Sequence, residues 1–287
     1  MLDLTLNKIT KIDGLSKFDS LSNLKRVNLG GNQIEKIEGL ESLSQLKYLD
    51  LSWNKISSIE CLDNLPNLEQ LYLASNSIAR ISGLDSLENL ETLSLNSNRI
   101  EKIEGLDALA NLRFLDLSSN FITKIEGLEA LSKLETLFLL NNLVEKIEGL
   151  EKLVSLRSLW LGANKIAAIG GLERCARLES LDLGTNVIER IENLGSLKSL
   201  KALGLSYNRI RKIEGLQGLE NLRDLDLRAN EIERVEGLEN HEGIVHLLLG
   251  RNPALESIIA RLGGFQFNDE DLPVARPQAF VKLCKRT

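Results

Sequence analysis

Few side chains of this 287-residue chain have the chemistry of catalysis, and their spacing does not bring them together. There are two histidines, His241 and His246, which leaves little for general acid–base catalysis or metal binding. Asp224 and Asp226 point the same way from one predicted strand and look like a catalytic pair, but acids at alternate positions are common in a repeated pattern. We therefore expect no catalytic residue, no metal site and no cofactor.

The three cysteines, Cys61, Cys175 and Cys284, are an odd number and form no disulfide framework, which favours a reducing compartment. Cys175 is interpreted as a small buried hydrophobic residue rather than a nucleophile. The first residues lack the basic and apolar regions of a secretion signal, and no run of 18 apolar residues predicts a membrane span. We expect a cytoplasmic and/or nuclear protein that contacts no membrane.

Composition argues against a nucleic-acid binder and against an ordinary enzyme core. The 35 basic and 41 acidic residues are mixed along the chain, so there is no concentrated basic footprint. Hydrophobic residues make up 43% of the chain but aromatic residues only 4%, with a single methionine. A conventional core of this size would use more of these large side chains as filler.

An asparagine recurs every 22 residues, after a first interval of 25, within the unit L-x-x-L-x-L-x-x-N-x-I-x-x-I-x-G-L-x-x-L. The alternating leucines predict a short strand, and the remainder returns the chain to the next strand. One coil cannot bury its apolar edge alone, so the coils must stack with parallel strands about 4.8 Å apart. The asparagine column is Asn7, Asn32, Asn54, Asn76, Asn98, Asn120, Asn142, Asn164, Asn186, Asn208, Asn230 and Asn252. We interpret it as structural, because a side-chain amide can satisfy the backbone groups of a turn.

This pattern resembles the leucine-rich repeat, in its short 22-residue class. The resemblance covers residues 2 to about 262 and implies an α/β repeat solenoid. Such a solenoid is a horseshoe with a concave parallel β-sheet, irregular or 3-10 returns on the convex side, and a C-terminal helical cap. The phrase from Ile100 to Leu106 is most similar to the branch that contains the regulatory subunit of type-1 serine/threonine phosphatase. The class also includes an axonemal dynein light chain and bacterial surface internalins.

The predicted organisation is a solenoid of about twelve repeats over residues 1–262, followed by a non-repeat tail over 263–287 that is interpreted as an appendage. Pro253 suits a helix start, and the apolar spacing after it predicts a cap near 253–262. The three-residue expansion at 16–23 is a candidate capping turn. The predicted apolar face of the cap is formed by Leu255, Ile258, Ile259 and Leu262.

Several repeats depart from their columns. Phe18, Cys175 and His241 replace a core leucine, and we expect His241 to form a hydrogen bond under the cap. Asn193 and Cys61 replace the repeat glycine. Asparagine tolerates a left-handed backbone, whereas Cys61 would be strained there, so we expect that the column does not strictly require glycine.

Two charged columns follow each asparagine, basic residues four positions later and acidic residues six positions later, as at Lys102 and Glu104. The buried isoleucine lies between them, so both columns point outward. Neighbouring ladders of opposite sign offset each other, and each exposed pair contributes no more than about 1 kcal/mol. We interpret this outer ladder as solvated and self-neutralising rather than as a binding site.

The other exposed surface is the face of the sheet that the horseshoe makes concave, here called the strand face. Its side chains lie two, four and six residues before each column asparagine, with a rim position one residue before it. Aromatic side chains and acids gather there although the core columns exclude aromatics, and such surfaces form protein interfaces. Phe138 and Trp160 occupy the same column on adjacent repeats and are predicted to pair. The predicted partner-binding residues are Tyr48, Asp50, Trp53, Tyr72, Phe114, Asp116, Phe138, Leu140, Trp160, Asp182, Tyr207, Asp224 and Asp226.

The sequence therefore favours a non-enzymatic module that binds a protein in its concavity. The resemblance implies a phosphatase catalytic subunit as the partner. One alternative is a cytoskeletal or ciliary scaffold of the dynein light chain type. A pathogen adhesin or effector is a further alternative, which the missing secretion signal disfavours. Nucleic acid fits the acidic concavity poorly, and the oligomeric state stays open.

Overall fold

The structure, a computed structural model, describes residues 1–12, 23–264, 271 and 273–285. These divide into two compact units, residues 1–143 and residues 144–287. Phe18 and most of the expansion at 16–23 lie outside the described residues. The first unit contains strands β1 (Leu2–Asp3), β2 (Arg26–Asn28), β3 (Tyr48–Asp50), β4 (Gln70–Tyr72), β5 (Thr92–Ser94), β6 (Phe114–Asp116) and β7 (Thr136–Phe138). The second contains β8 (Ser158–Trp160), β9 (Ser180–Asp182), β10 (Ala202–Gly204), β11 (Asp224–Asp226), β12 (His246–Leu248), α1 (Glu256–Leu262) and α2 (Pro277–Cys284).

Within each unit the strands are parallel and pair in chain order. The register repeats from strand to strand, as where Leu93 lies opposite Leu115 and Leu203 lies opposite Leu225. Returns of equal length impose this register, because each strand starts at the same point of its coil. The described returns consist of turns, with 3-10-type bonds such as the 3.0 Å one from the Leu109 N–H to the Leu106 carbonyl. The predicted parallel repeat solenoid with irregular returns is confirmed.

The core is almost purely aliphatic. Leu95, Ile100 and Leu106 expose 0% of their surface, and Ile103 exposes 1%. Burying such a side chain stabilises the fold by about 1.5–3 kcal/mol. Among the described residues, Phe280 is the one buried aromatic side chain. The remaining described aromatic residues therefore lie at the surface or on the sheet.

The repeat glycine column is left-handed at every position the structure describes. Gly105 has a φ of 67°, and a Cβ there would lie 2.6 Å from the Ile81 carbonyl oxygen. Cys61, at 57°, and Asn193, at 58°, adopt the same conformation. As expected, the column does not strictly require glycine, because Cys61 and Asn193 occupy it. The column is nevertheless left-handed at Cys61, where this conformation costs a residue with a Cβ about 1–2 kcal/mol.

The end of the solenoid carries the predicted helix. A 3-10 turn over Pro253–Leu255 leads into α1. Leu255 and Ile259 are buried, whereas Ile258 and Leu262 are half-buried. In the part of the chain that the structure describes, no helix has the length and apolar character of a membrane span.

The tail after residue 263 is not a detached appendage. Phe280, Val281 and Cys284 of α2 are buried, as is Val274. The N–H of Val274 donates to the Leu247 carbonyl at 2.8 Å, so the tail covers part of the free edge of β12. The repeat pattern could not predict this docking, because the tail joins β12 through contacts that are distant in sequence.

His241 lies in the core beneath the last repeats. Its Nε2 lies 3.2 Å from the Leu216 carbonyl oxygen, which is the kind of hydrogen bond that the sequence predicted. The ring is 5% exposed, and burial lowers the pKa of His241. The neutral imidazole is therefore favoured in the folded protein.

Candidate functional site

Each column asparagine joins its own repeat to the preceding one. The Nδ2 of Asn120 donates to the carbonyls of Leu95 and Leu117 at 3.0 Å and of Ser118 at 3.2 Å. Its Oδ1 accepts the N–H of Ile100 at 2.9 Å. The same four-partner arrangement occurs at Asn54, Asn76, Asn98, Asn142, Asn186, Asn208 and Asn230.

Asn164 accepts the N–H of Val144 and donates to Leu161 and Gly162. The carbonyls that these asparagines bind lie where a strand ends and the sheet no longer supplies donors. An unpaired buried backbone group costs about 1–3 kcal/mol, so the column stabilises every turn it serves. Its position on the turn leaves the strand face free for other contacts.

The predicted aromatic residues on the strand face are half-buried, and in the first unit they form two pairs. The ring centroids of Tyr48 and Tyr72 are 5.3 Å apart, and those of Phe114 and Phe138 are 5.5 Å apart. In both pairs, the first position of one strand contacts the third position of the next strand. The sequence placed these rings on one face but did not predict this diagonal geometry, which depends on the twist and spacing of the strands.

The tyrosine pair has charged neighbours. The guanidinium of Arg26 lies 4.1 Å from the centre of the Tyr48 ring, within the range of a cation–π contact. The Tyr48 hydroxyl lies 3.4 Å from Asp50 Oδ2. Burial, and then the nearby Asp50 carboxylate, raise the pKa of both Tyr48 and Tyr72. The hydroxyls therefore stay protonated at neutral pH, as hydrogen-bonding groups at the edge of an apolar surface.

Phe138 ends β7 in the first unit, and Trp160 ends β8 in the second, each half-buried. Their predicted pairing stays a prediction. Leu140 and Asp116 are also half-buried on the strand face of the first unit. Asp116 Oδ1 accepts the N–H of Ser118 at 2.9 Å, which holds the carboxylate against the sheet.

The rim position has a property that sequence reasoning missed: it is left-handed in every repeat that the structure describes. Trp53, with a φ of 58°, is 70% exposed, and Tyr207, with a φ of 55°, is 45% exposed. A left-handed backbone favours glycine or asparagine, so bulky residues here carry a conformational cost. The pattern of hydrophobic residues in the sequence gives no indication of this left-handed backbone. Phe121, 52% exposed beside the asparagine column, was also missed.

The three predicted strand-face acids of the second unit, Asp182, Asp224 and Asp226, differ in their partners. Arg228 binds Asp226 through two bonds, of 2.9 and 2.7 Å. His246 Nδ1 contacts the carboxylate of Asp224. Asp182 accepts the N–H of Gly184 at 3.0 Å but has no basic partner among the described residues. Burial raises the pKa of Asp182, and the nearby Asp226 adds to the effect.

A hollow of about 210 Å³ opens on this part of the strand face. It lies over β10, where Ala202 and Gly204 are the small residues between larger neighbours. Its lining includes Trp160, Asp182, Ala202, Gly204, Asp226 and Leu248. The hollow therefore combines an aromatic side chain, an apolar side chain and carboxylates. Of these carboxylates, Asp226 is paired with an arginine and Asp182 has no basic partner among the described residues.

The tail contributes to the rim of the second unit. Arg251 donates to Asp271 Oδ2 at 2.9 Å and to the Tyr207 hydroxyl at 2.7 Å. Arg228 donates to the main-chain carbonyl of Asp271 at 2.9 Å. Sequence reasoning missed these arginines, although both occupy strand-face or rim positions that the repeat alignment identifies.

The outer ladder carries its own counter-charges. Arg80 lies 2.6 Å from Glu104, and Lys102 lies 3.8 Å from Glu104 and 3.9 Å from Glu126. All three contacts are exposed, so each contributes little to stability. The ladder presents paired charges rather than a surface of one sign.

The side chains that could act as a nucleophile or bind a metal ion are not arranged to do so among the described residues. Burial raises the pKa of the Cys175 thiol to about 11, so it stays protonated at neutral pH and is a poor nucleophile. Across the described residues, no group of three or more His, Cys, Asp or Glu side chains could hold a metal ion. The arrangement can bind through aromatic, hydrogen-bonding and charged side chains.

Among solved structures, the chain is similar to an internalin, InlF, from Listeria monocytogenes. That match has 30% identity and a TM-score of 0.78, and it covers 90% of this chain and 77% of the internalin chain. Internalin C2 from the same organism matches with 30% identity and a TM-score of 0.56, over 61% of this chain and 77% of that one. TLR13, solved in complex with an ssRNA, matches with 26% identity and a TM-score of 0.73, over 88% of this chain and 38% of that one.

A comparison with curated proteins gave no match. The family profile described as leucine rich repeats (2 copies) matches residues 44–86, 66–108, 110–152, 154–196 and 198–240. A second leucine rich repeat profile matches residues 1–56. The matched segments cover most of the chain and follow the 22-residue unit. The chain therefore belongs to the leucine-rich repeat family, whose members are typically non-enzymatic interaction modules.

Proposed function

We propose that this chain is a non-enzymatic interaction module that binds a protein partner on its strand face. The observation that carries the proposal is the separation of side-chain types between the two faces of the sheet. The core side is aliphatic and fully buried, whereas Tyr48, Tyr72, Phe114, Phe138 and Trp160 stand half-buried on the opposite side.

Half-buried aromatic rings on a rigid sheet favour binding. Such a ring contributes a large contact area and loses little conformational freedom when a partner covers it. Asp50 and Asp116 lie among the rings of the first unit and add polar contacts that can select a partner. The bulky rim residue Trp53, which is 70% exposed, extends this surface.

The partner suggested by the sequence resemblance is the catalytic subunit of a type-1 serine/threonine phosphatase. This suggestion rests on the phrase from Ile100 to Leu106 alone, since the solved structures reported above are two internalins and TLR13. The identity with InlF favours a second candidate, a pathogen leucine-rich repeat adhesin or effector. Both candidates use the same class of surface and differ in the partner.

The test is quantitative affinity capture from a lysate with three versions of the chain. We expect the wild type and a Lys102→Glu/Glu104→Lys variant to retain the same proteins, because the exchange preserves the outer charge balance. A Phe138→Ala variant should lose them. Loss of capture by the outer-ladder variant, with full retention by Phe138→Ala, would move the functional surface away from the strand face. Purified phosphatase catalytic subunit and host-cell surface proteins are then tested separately as named candidates.

A further inference from the structure

The hollow over β10 is formed by a missing side chain. In the column of third strand positions, Gly204 lies between Asp182 on β9 and Asp226 on β11. A Cβ placed on Gly204 would lie 2.6 Å from Oδ1 of Asp182. The glycine thus leaves the Asp182 carboxylate open toward the hollow.

The charges around the hollow are not balanced. Asp226 is paired with Arg228 and Asp224 contacts His246, so Asp182 is the one of these three strand-face acids that has no basic partner among the described residues. Desolvation of an unpaired carboxylate destabilises the folded protein, and a ligand cation would offset that cost. Burial raises the pKa of Asp182 in agreement with this geometry.

The size and walls of the hollow limit what it can hold. A volume of about 210 Å³ corresponds to roughly seven water molecules at about 30 Å³ each, enough for one long side chain but not for a secondary-structure element. Trp160 lines the same hollow as Asp182. An arginine suits this combination, because its planar guanidinium stacks on aromatic rings and forms paired hydrogen bonds with a carboxylate.

We propose that the Gly204 hollow is a specificity site that receives one arginine side chain of the protein partner, with Asp182 as its counter-ion and Trp160 as its aromatic wall. This inference rests on the proposed binding at the strand face. The inference specifies the chemistry of a single contact, an arginine side chain in the hollow. It can therefore be tested with an arginine peptide before the partner is known.

The test uses the full chain labelled with 5-fluorotryptophan, which gives two fluorine NMR signals because the chain has two tryptophans, Trp53 and Trp160. A Trp53→Phe variant assigns the signals. The probe is the peptide acetyl-Ser-Gly-Arg-Gly-Ser-amide, and the matched probe has citrulline, which is neutral and of similar shape, in place of arginine. We expect the arginine peptide to move the Trp160 signal saturably, with a dissociation constant on the order of 1 mM, and to leave the Trp53 signal in place.

Two variants examine the hollow itself. Asp182→Asn keeps the acceptor for the Gly184 N–H and removes the charge, and Gly204→Ala places a methyl group against the carboxylate. Each should weaken the arginine peptide at least about tenfold, as should replacing arginine with citrulline. Asp3→Asn is the control, because Asp3 occupies the same column and accepts the N–H of Thr5, yet lies in the first unit.

Equal shifts with arginine and citrulline, unchanged binding to Asp182→Asn, or no saturable shift up to about 10 mM peptide would each overturn the inference. The proposed function has a separate readout, since capture of a partner by the wild type and its loss with Phe138→Ala do not depend on this peptide. Failure of the peptide together with successful capture would therefore reject the arginine site alone.

Discussion

Phe114 at the start of β6 packs against Phe138 at the end of β7, with ring centroids 5.5 Å apart and ring planes inclined by 51°. Tilted aromatic pairs of this kind contribute about 0.5–1.5 kcal/mol beyond the area they bury. We expect a double-mutant cycle with Phe114→Ala and Phe138→Ala to give a coupling free energy of unfolding in this range. Purely additive effects in chemical denaturation would show that the rings do not stabilise each other.

The second prediction concerns the contribution of Asn120 to stability. Its amide serves three carbonyls and one N–H, and it is 6% exposed, so Asn120→Ala leaves buried backbone groups unpaired. The free energy of unfolding should fall by about 1–3 kcal/mol. The matched control is Asn111→Ala, because Asn111 makes only exposed bonds, one donated to the Glu88 carbonyl and one accepted from Lys133 Nζ. Their loss should cost less than about 1 kcal/mol. Equal stability of the two variants would mean that the asparagine column is not structural.

His241 gives a pH-dependent prediction. Burial lowers the pKa of His241, so the folded protein binds a proton less tightly than the unfolded chain does. The stability associated with the neutral ring is fully present above the unfolded pKa of about 6.5 and is lost as the pH falls below it. His241→Leu removes this penalty and restores the leucine of the column.

The melting temperature of His241→Leu should therefore exceed that of the wild type by more at pH 5 than at pH 8. A difference between the two proteins that does not change with pH would show that the imidazole is not held neutral.

The C-terminal tail gives a prediction that reverses the sequence-based expectation. Removal of a mere appendage would be tolerated, but truncation after Gly264 removes the buried Phe280, Val281 and Cys284 and the bond from Val274 to Leu247. We expect this truncated chain to melt at a lower temperature and to aggregate more readily, because the core of the last repeats and the β12 edge become exposed. Light scattering and thermal melts that match those of the full chain would restore the interpretation of the tail as an appendage.

The sequence predicted the features that a local period determines. Leu93 and Leu95 alternate and Ile100 and Ile103 follow at fixed offsets, so the strand, the core and the stacking direction could be inferred from one repeat. The left-handed rim at Trp53 could not be inferred, because residues as different as Trp53, Ala163 and Arg251 occupy that position and only the backbone conformation reveals it.

The ionic partners of the strand-face acids could not be predicted from the sequence either. Asp182 and Asp226 occupy the same column, and the sequence treats them alike. The structure separates them, because Arg228 folds back onto Asp226 and Gly204 leaves Asp182 open. The repeat alignment shows Gly204 but not the side-chain rotamer that pairs Arg228 with Asp226, so the difference between the two acids needed the structure.

The central claim is that the strand face binds the partner, and one measurement tests it most directly. The affinity of a purified captured partner is measured for the wild type, Phe138→Ala and Trp160→Ala, together with the melting temperature of each. Loss of a central aromatic anchor should cost at least about 2 kcal/mol of binding, about thirtyfold in affinity, while the fold of a half-buried site is retained. Unchanged affinity in two folded variants would contradict the account, and so would collapse of the fold, which would mean that these rings belong to the core.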